Sequence, residues 1–378
     1  MTWWRGPRAP GSDTLKKLAL QLHTDQGLVV ALVDEKRCET ALMRQAALGA
    51  APAVIFLLVD AGDDLHSDAG DDVHSVDCHG KTALHHAAEG GHTSTVSALV
   101  QECGVDVNAA EKIGYTALMS AARDGHTATV VALAQECGAE VNAVLKDGST
   151  ALMRASQSGH TTTVVVLVKE RGADENTAGE DGWIALMFAA QDGYTATVVA
   201  LVQECGADLS AAGEGGFTRL MLAAQDGHTA TVVALLKKFG TDMNATDKDG
   251  DAALMIAVIY GFTKTVVALA KECGADENDA NKNGVTALMH TAQNGHMATV
   301  LALAQDCGAD VNASNENDLT ALMHAALNGH MTTVLALVQE CGADVNAADK
   351  LVPPPTCTRQ KTDTRQQCWR LHRSAGLT

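Results

Sequence analysis

The sequence predicts an all-α repeat solenoid, in which pairs of short helices joined by hairpin-like loops stack into a curved superhelical array. Three observations carry this prediction. The tetrapeptide TALM recurs at a fixed period. Glycines fall at the same places in nearly every period. The 378 residues are 46% hydrophobic but only 3% aromatic, so the interior must be built from Ala, Val, Leu and Met. Such side chains suit closely stacked helices that share one continuous core.

The tetrapeptide fixes the register. Its first position falls at Thr40, Thr82, Thr116, Thr150, Ile184, Thr218, Ala252, Thr286 and Thr320, which marks nine units. Every spacing after the first is 34 residues, and the first is 42. The surplus of eight is a tandem duplication at 61–76, where AGDDLHSD is followed at once by AGDDVHSV.

The third unit shows how each is built. In GYTALMSAARDGHTATVVALAQECGAEVNAVLKDG, glycines stand at 114, 125, 138 and 148. Leu118, Ala121 and Ala122 lie at i, i+3 and i+4, one face of a short first helix that Gly125 stops. Val130, Leu133, Ala134 and Cys137 repeat that spacing along a second helix from about Thr127, stopped by Gly138. AEVNAVLKDG comes next, rich in turn formers, and reads as an extended, hairpin-like connection.

These residues resemble the ankyrin-repeat pattern, which runs approximately D-x-x-G-x-T-P-L-H-x-A-A-x-x-G-H, a second helix, then G-A-D-V-N-A. Nine units in register cover 36–350, and Asp13–Glu35 resembles a degenerate capping pair of helices over 12–35. Tetratricopeptide repeats share the 34-residue period but lack the G-x-T-A-L and G-A-D-V-N-A signatures. Three departures stand out. The unit is one residue longer than the usual 33, with the surplus expected near the start of the second helix. Ala replaces Pro in the tetrapeptide. Met replaces His everywhere except His85. A thioether fills the space without the imidazole's hydrogen bonds, so slightly less rigid turns are expected.

Four units also hold a histidine and a cysteine eleven residues apart, as in His126 and Cys137. Both are soft-metal ligand types, but a helix separates them by about 16 Å, too far to share an ion. Equivalent cysteines in adjacent units are about one helix spacing apart, roughly 8–10 Å, beyond disulfide reach. The histidine column also admits Tyr194 and Phe262, and the cysteine column admits Arg171 and Phe239. Both columns therefore read as architecture. The duplicated insert is a separate matter. Its Asp and His residues, with His66, Asp68, Asp72 and His74 as the ligand set, define an alternative reading as a metal- or redox-responsive regulator. The opposing reading is a solvated loop.

Net charge is −19 and is uneven: 36–350 carries 18 basic and 41 acidic groups, while 351–378 carries five basic and one acidic. Nucleic acid is not expected as a partner. Apolar runs such as Ala53–Val59 are too short to span a bilayer, so no membrane partner is expected. Ten cysteines alone would suggest disulfides, but no secretory signal is visible, so a reducing compartment, cytoplasmic or nuclear rather than secreted, is expected. No phosphate-binding glycine loop, His-Glu-x-x-His or G-x-S-x-G is present, so neither catalysis nor a cofactor is expected.

The resemblance implies a non-catalytic scaffold or adaptor that binds another protein through hairpin tips and first helices, or alternatively a substrate-recruiting subunit of an enzyme complex. Those positions vary most between the nine units. They hold Lys112, Ile113, Tyr115, Arg123, Arg154, Trp183, Phe188, Phe217 and Tyr260, five of them drawn from only twelve aromatics. Large apolar groups on an acidic surface suit an interface core for a partner with a basic or apolar segment. Residues 1–11 and 351–378 are expected to be disordered, the latter after Pro353–Pro355. The ninth unit keeps the apolar consensus with no polar outer face, so self-association there, or a truncated longer array, is also expected.

Overall fold

The computed structural model describes residues 41–51 and 74–347. The expected capping helices, both termini and residues 52–73 of the insert region lie outside them. The chain divides into two compact halves, Met1–Gly179 and Glu180–Thr378. Each is a run of helix pairs, and within each half successive first helices pack against one another in chain order.

The first helices are seven or eight residues long, as in Ala117–Arg123, Ala185–Gln191 and Ala287–Asn294. The tetrapeptide starts them. The Thr116 hydroxyl accepts from the Met119 amide at 3.3 Å, and Thr150, Thr218 and Thr320 do the same for Met153, Met221 and Met323. This satisfies one of the amides that a helix start leaves free. The Leu and Met of each tetrapeptide are buried, as are most of the small residues one turn on. Unit two keeps its histidine. His85 Nδ1 faces both the amide and the hydroxyl of Thr82, and Nε2 reaches the Tyr115 carbonyl at 3.0 Å.

The second helices differ from expectation in two ways. Val130 and Leu133 are buried as predicted, but Ala134 and Cys137 are only half-buried, and Thr129 and Ala132 take their place. The second difference is the helix type, which does not set the burial, since the α-helix of unit two buries the same four positions, Thr95, Val96, Ala98 and Leu99. Four second helices begin as α and widen to π, at Ala132–Glu136, Leu201–Cys205, Ala268–Glu272 and Ala302–Cys307. A π-turn accommodates one extra residue and rotates the residues beyond it. In these units the surplus residue therefore lies in the second half of the helix, not near its start. Units four and six, where Arg171 and Phe239 replace cysteine, instead keep eleven-residue α-helices, Thr161–Arg171 and Thr229–Phe239.

The constant columns stitch unit to unit. His126 Nε2 contacts the Glu89 carbonyl at 2.9 Å, and its ring lies over Gly91. His92, His296 and His330 make the same link to Ala47, Ile259 and Gln293. Threonine hydroxyls pair across units at 2.7–2.9 Å, as in Thr93 with Thr129 and Thr229 with Thr265. The G-A-D-V-N-A turns form a third ladder. Asp276 accepts from the Asn278 amide, and the Asn278 side chain accepts from the Asp310 amide of the next unit at 2.7 Å. The expected hairpins close with isolated antiparallel bridges, such as Ala110 with Thr116 and Ala280 with Thr286.

Candidate partner-binding surface

The variable residues project from the hairpins and first helices that these ladders hold in place. In the N-terminal half, Ile113 at a hairpin tip is 62% exposed. Beside it Lys112 is not a free tip residue. Its ammonium donates to the Cys78 carbonyl and its amide to the His79 carbonyl, both in the preceding hairpin.

Tyr115, expected at the surface, is only 8% exposed. Two arginines enclose it: Arg154 lies 5.4 Å from the ring centroid and Arg123 5.8 Å. Burial pushes the Tyr115 phenol above its ordinary value, against the pull of both guanidiniums. Arg123 also pairs with Asp124 at 2.9 Å and with Glu89 at 3.5 Å. Its hydrogen bond to Asp124, ahead of all other influences, holds its proton more tightly than usual. Arg154 pairs with Asp147 at 3.1 Å. These residues form one packed, charged cluster whose outer edge is arginine rather than tyrosine.

The C-terminal half carries the remaining candidates. Trp183 and Phe188 are half-buried, with centroids 5.2 Å apart and rings tilted by 56°. The Trp183 indole lies against Gly213 in the next hairpin. Phe217 is half-buried, and Tyr260 is 53% exposed at the end of its first helix. Nearby, Asp192 has a carboxyl held above its ordinary value, first by burial and then by Asp226. The first-helix residue immediately after each tetrapeptide, the position of Arg154 and Phe188, is buried at Ser120, Leu222 and Ile256 and half-buried at the other sites from His86 to His324. The hairpins cover it. Two exposed apolar residues carry no clear signal in the sequence: Val144, 58% exposed, and Tyr194. Tyr194 stands in the histidine column, a place where an aromatic reads as packing.

No ligand cluster of three or more His, Cys, Asp or Glu groups suited to a metal occurs among the described residues. His66, Asp68 and Asp72 lie outside them, and His74 is exposed. Asp77 is engaged, accepting from the His79 and Lys81 amides at 2.8 Å. Burial holds the Cys137, Cys273, Cys307 and Cys341 thiols above their ordinary range, which opposes the thiolate that metal or redox chemistry requires. No helix among the described residues is long and apolar enough to cross a membrane.

A stacked helical-repeat scaffold with variable tips is the class this geometry defines. The family model for ankyrin repeats (3 copies) matches residues 12–110, 42–144, 137–213, 186–281, 220–315 and 254–349. The chain belongs to the ankyrin-repeat family. No curated protein matches the sequence.

Proposed function

We propose that the chain is a non-catalytic scaffold that holds a protein partner on its hairpin tips and first-helix ends. Ankyrin repeats are generally protein–protein interaction modules. One observation carries the reading here. The constant histidines, threonines and asparagines are spent on unit-to-unit hydrogen bonds, while large side chains that differ between units keep access to solvent: Ile113 in one half and Tyr260 in the other are exposed, and the Trp183–Phe188 pair is half-buried. An apolar anchor within a charged rim is the usual anatomy of an interface. The acidic balance favours a partner segment with basic flanks. The proposed location is the cytoplasm or nucleus, a reducing compartment in which thiols persist.

The test compares the full chain with Ile113→Ser and with the triple variant Trp183→Ser, Phe188→Ser, Tyr260→Ser, using proximity labelling in the native cell. Partners lost in either variant, with helicity unchanged, support the reading. An unchanged partner set in both removes these residues from the interface.

A further inference from the structure

Units two, eight and nine place a histidine at the same first-helix position, His86, His290 and His324, facing the residue that caps its own hairpin. That cap is Asp77 in unit two and Asn281 and Asn315 in units eight and nine. In all three, the cap's Oδ1 accepts two backbone amides and closes the turn. For Asn315 these are the amides of Asn317 and Leu319, each at 3.0 Å.

This double bond to the backbone settles which way the asparagine points. With Oδ1 held by two donors, Nδ2 must be the atom that faces His324 Nε2, at 3.4 Å. Nδ2 only donates, so Nε2 must present its lone pair, and the imidazole is neutral with its proton on Nδ1. Unit two is wired the other way. There the atom facing His86 Nε2 is Asp77 Oδ2, an acceptor, at 3.3 Å.

We infer that His324 is a proton sensor for the hairpin of unit nine: on protonation, Nε2–H opposes the Asn315 amide hydrogens, and the cap must release the turn. The charged groups around the sensor are few. His290 is the one whose charge reaches the His324 ring, and it opposes a second proton. His290 itself faces Asn281 Nδ2 at 3.4 Å and the Asp251 carboxylate at 3.9 Å; burial holds its proton affinity below the ordinary value, and that carboxylate offsets part of the effect. Unit nine is thus the less compensated of the two. Its turn is also the one among the described residues with a non-glycine at positive φ, Asp318 at 59°. Such a turn leans on its cap.

The direction of the titration agrees. Burial first, then the His290 charge, lowers the His324 affinity for protons below the ordinary value of 6.5. A base with a depressed folded value binds fewer protons folded than unfolded. The hairpin is therefore fully stable above about pH 6.5 and loses stability as pH falls from there toward the folded value.

The experiment is amide hydrogen exchange on the full chain at pH 7.5 and 5.5, corrected for intrinsic rates, read on peptides covering 315–319 and 77–81. Protection of the unit-nine hairpin is expected to fall about tenfold at the lower pH while that of unit two holds. His324→Gln, neutral at both values, removes the difference. Asn315→Asp, which copies unit two, reverses it and raises the His324 midpoint by about one pH unit in an NMR titration. Equal corrected protection at both pH values in the wild-type chain overturns the inference, as does an unchanged loss in His324→Gln. A midpoint unmoved by Asn315→Asp overturns the proposed geometry.

Discussion

Two glycines show how the same residue answers different demands. Gly138 ends a second helix at φ 75°, and a Cβ built there meets nothing within 4 Å. Gly91 has φ 70°, but a Cβ there falls 2.5 Å from His126 Nδ1. Gly138→Ala therefore carries only the left-handed penalty, about 1 kcal/mol. Gly91→Ala adds displacement of the ring from the Glu89 carbonyl, for a total of about 3 kcal/mol. Urea denaturation of both variants checks the ordering, and equal losses would remove the docking role of the ring. That the histidine column is architecture was legible because Tyr and Phe interrupt it. Which carbonyl each histidine reaches was not, since the acceptor lies 37 residues upstream and only stacking brings it near. Tyr115 misled for a similar reason. Its slot is variable, but the two arginines that bury it come from its own first helix and that of the next unit.

The paired helices were legible from spacing because apolar positions recur at 3.6-residue intervals, and Leu118, Val130 and Leu133 of that pattern are buried in the third unit. The widened final turn was not. An α-helix and an α-helix that opens into π share the same first two turns, and hydrogen-bond register cannot be read from apolar spacing. A pair of deletions tests where the surplus residue sits. Removing Gln135, exposed within the Ala132–Glu136 π-turn, leaves Val130 and Leu133 where they are and lets the turn close as α. That variant is expected to melt within about 5 °C of the parent. Removing Ala128, exposed near the helix start, pulls Val130 and Leu133 off the buried face. Losing either side chain from the core costs about 2–5 kcal/mol. Thermal denaturation followed by circular dichroism separates the two, and equal damage from both deletions would place the surplus elsewhere.

Charge acts along each half rather than at one place. The turn ladder sets acidic residues at one per unit: Asp106, Glu140 and Asp174 in the N-terminal half, and Asp208, Asp242, Asp276, Asp310 and Asp344 in the other. At Glu140, Asp174, Asp310 and Asp344 the backbone amide donates to an asparagine of the preceding unit, which holds these turns in line so that they cannot spread apart. Cross-unit ion pairs relieve little of this. Lys237–Glu272 and Lys271–Asp306 are exposed pairs at the ends of second helices, the kind that contribute about 0–1 kcal/mol. Neighbouring turns lie about 8–10 Å apart, comparable to the Debye length of about 8 Å at physiological ionic strength. With a net charge of −19, folding gathers like charges into columns, and salt screens them. The melting temperature is therefore expected to rise by a few degrees between about 20 and 300 mM sodium chloride, most of it below the midpoint of that range. Sucrose at matched osmolarity serves as the control for solvent exclusion, which strengthens burial without screening. Replacing Asp276 and Asp310 by Asn keeps the turn acceptor and removes two charges from one column, and it should reduce the salt response. A melting temperature that is flat or falls with salt would mean that the exposed ion pairs outweigh the repulsion between the columns.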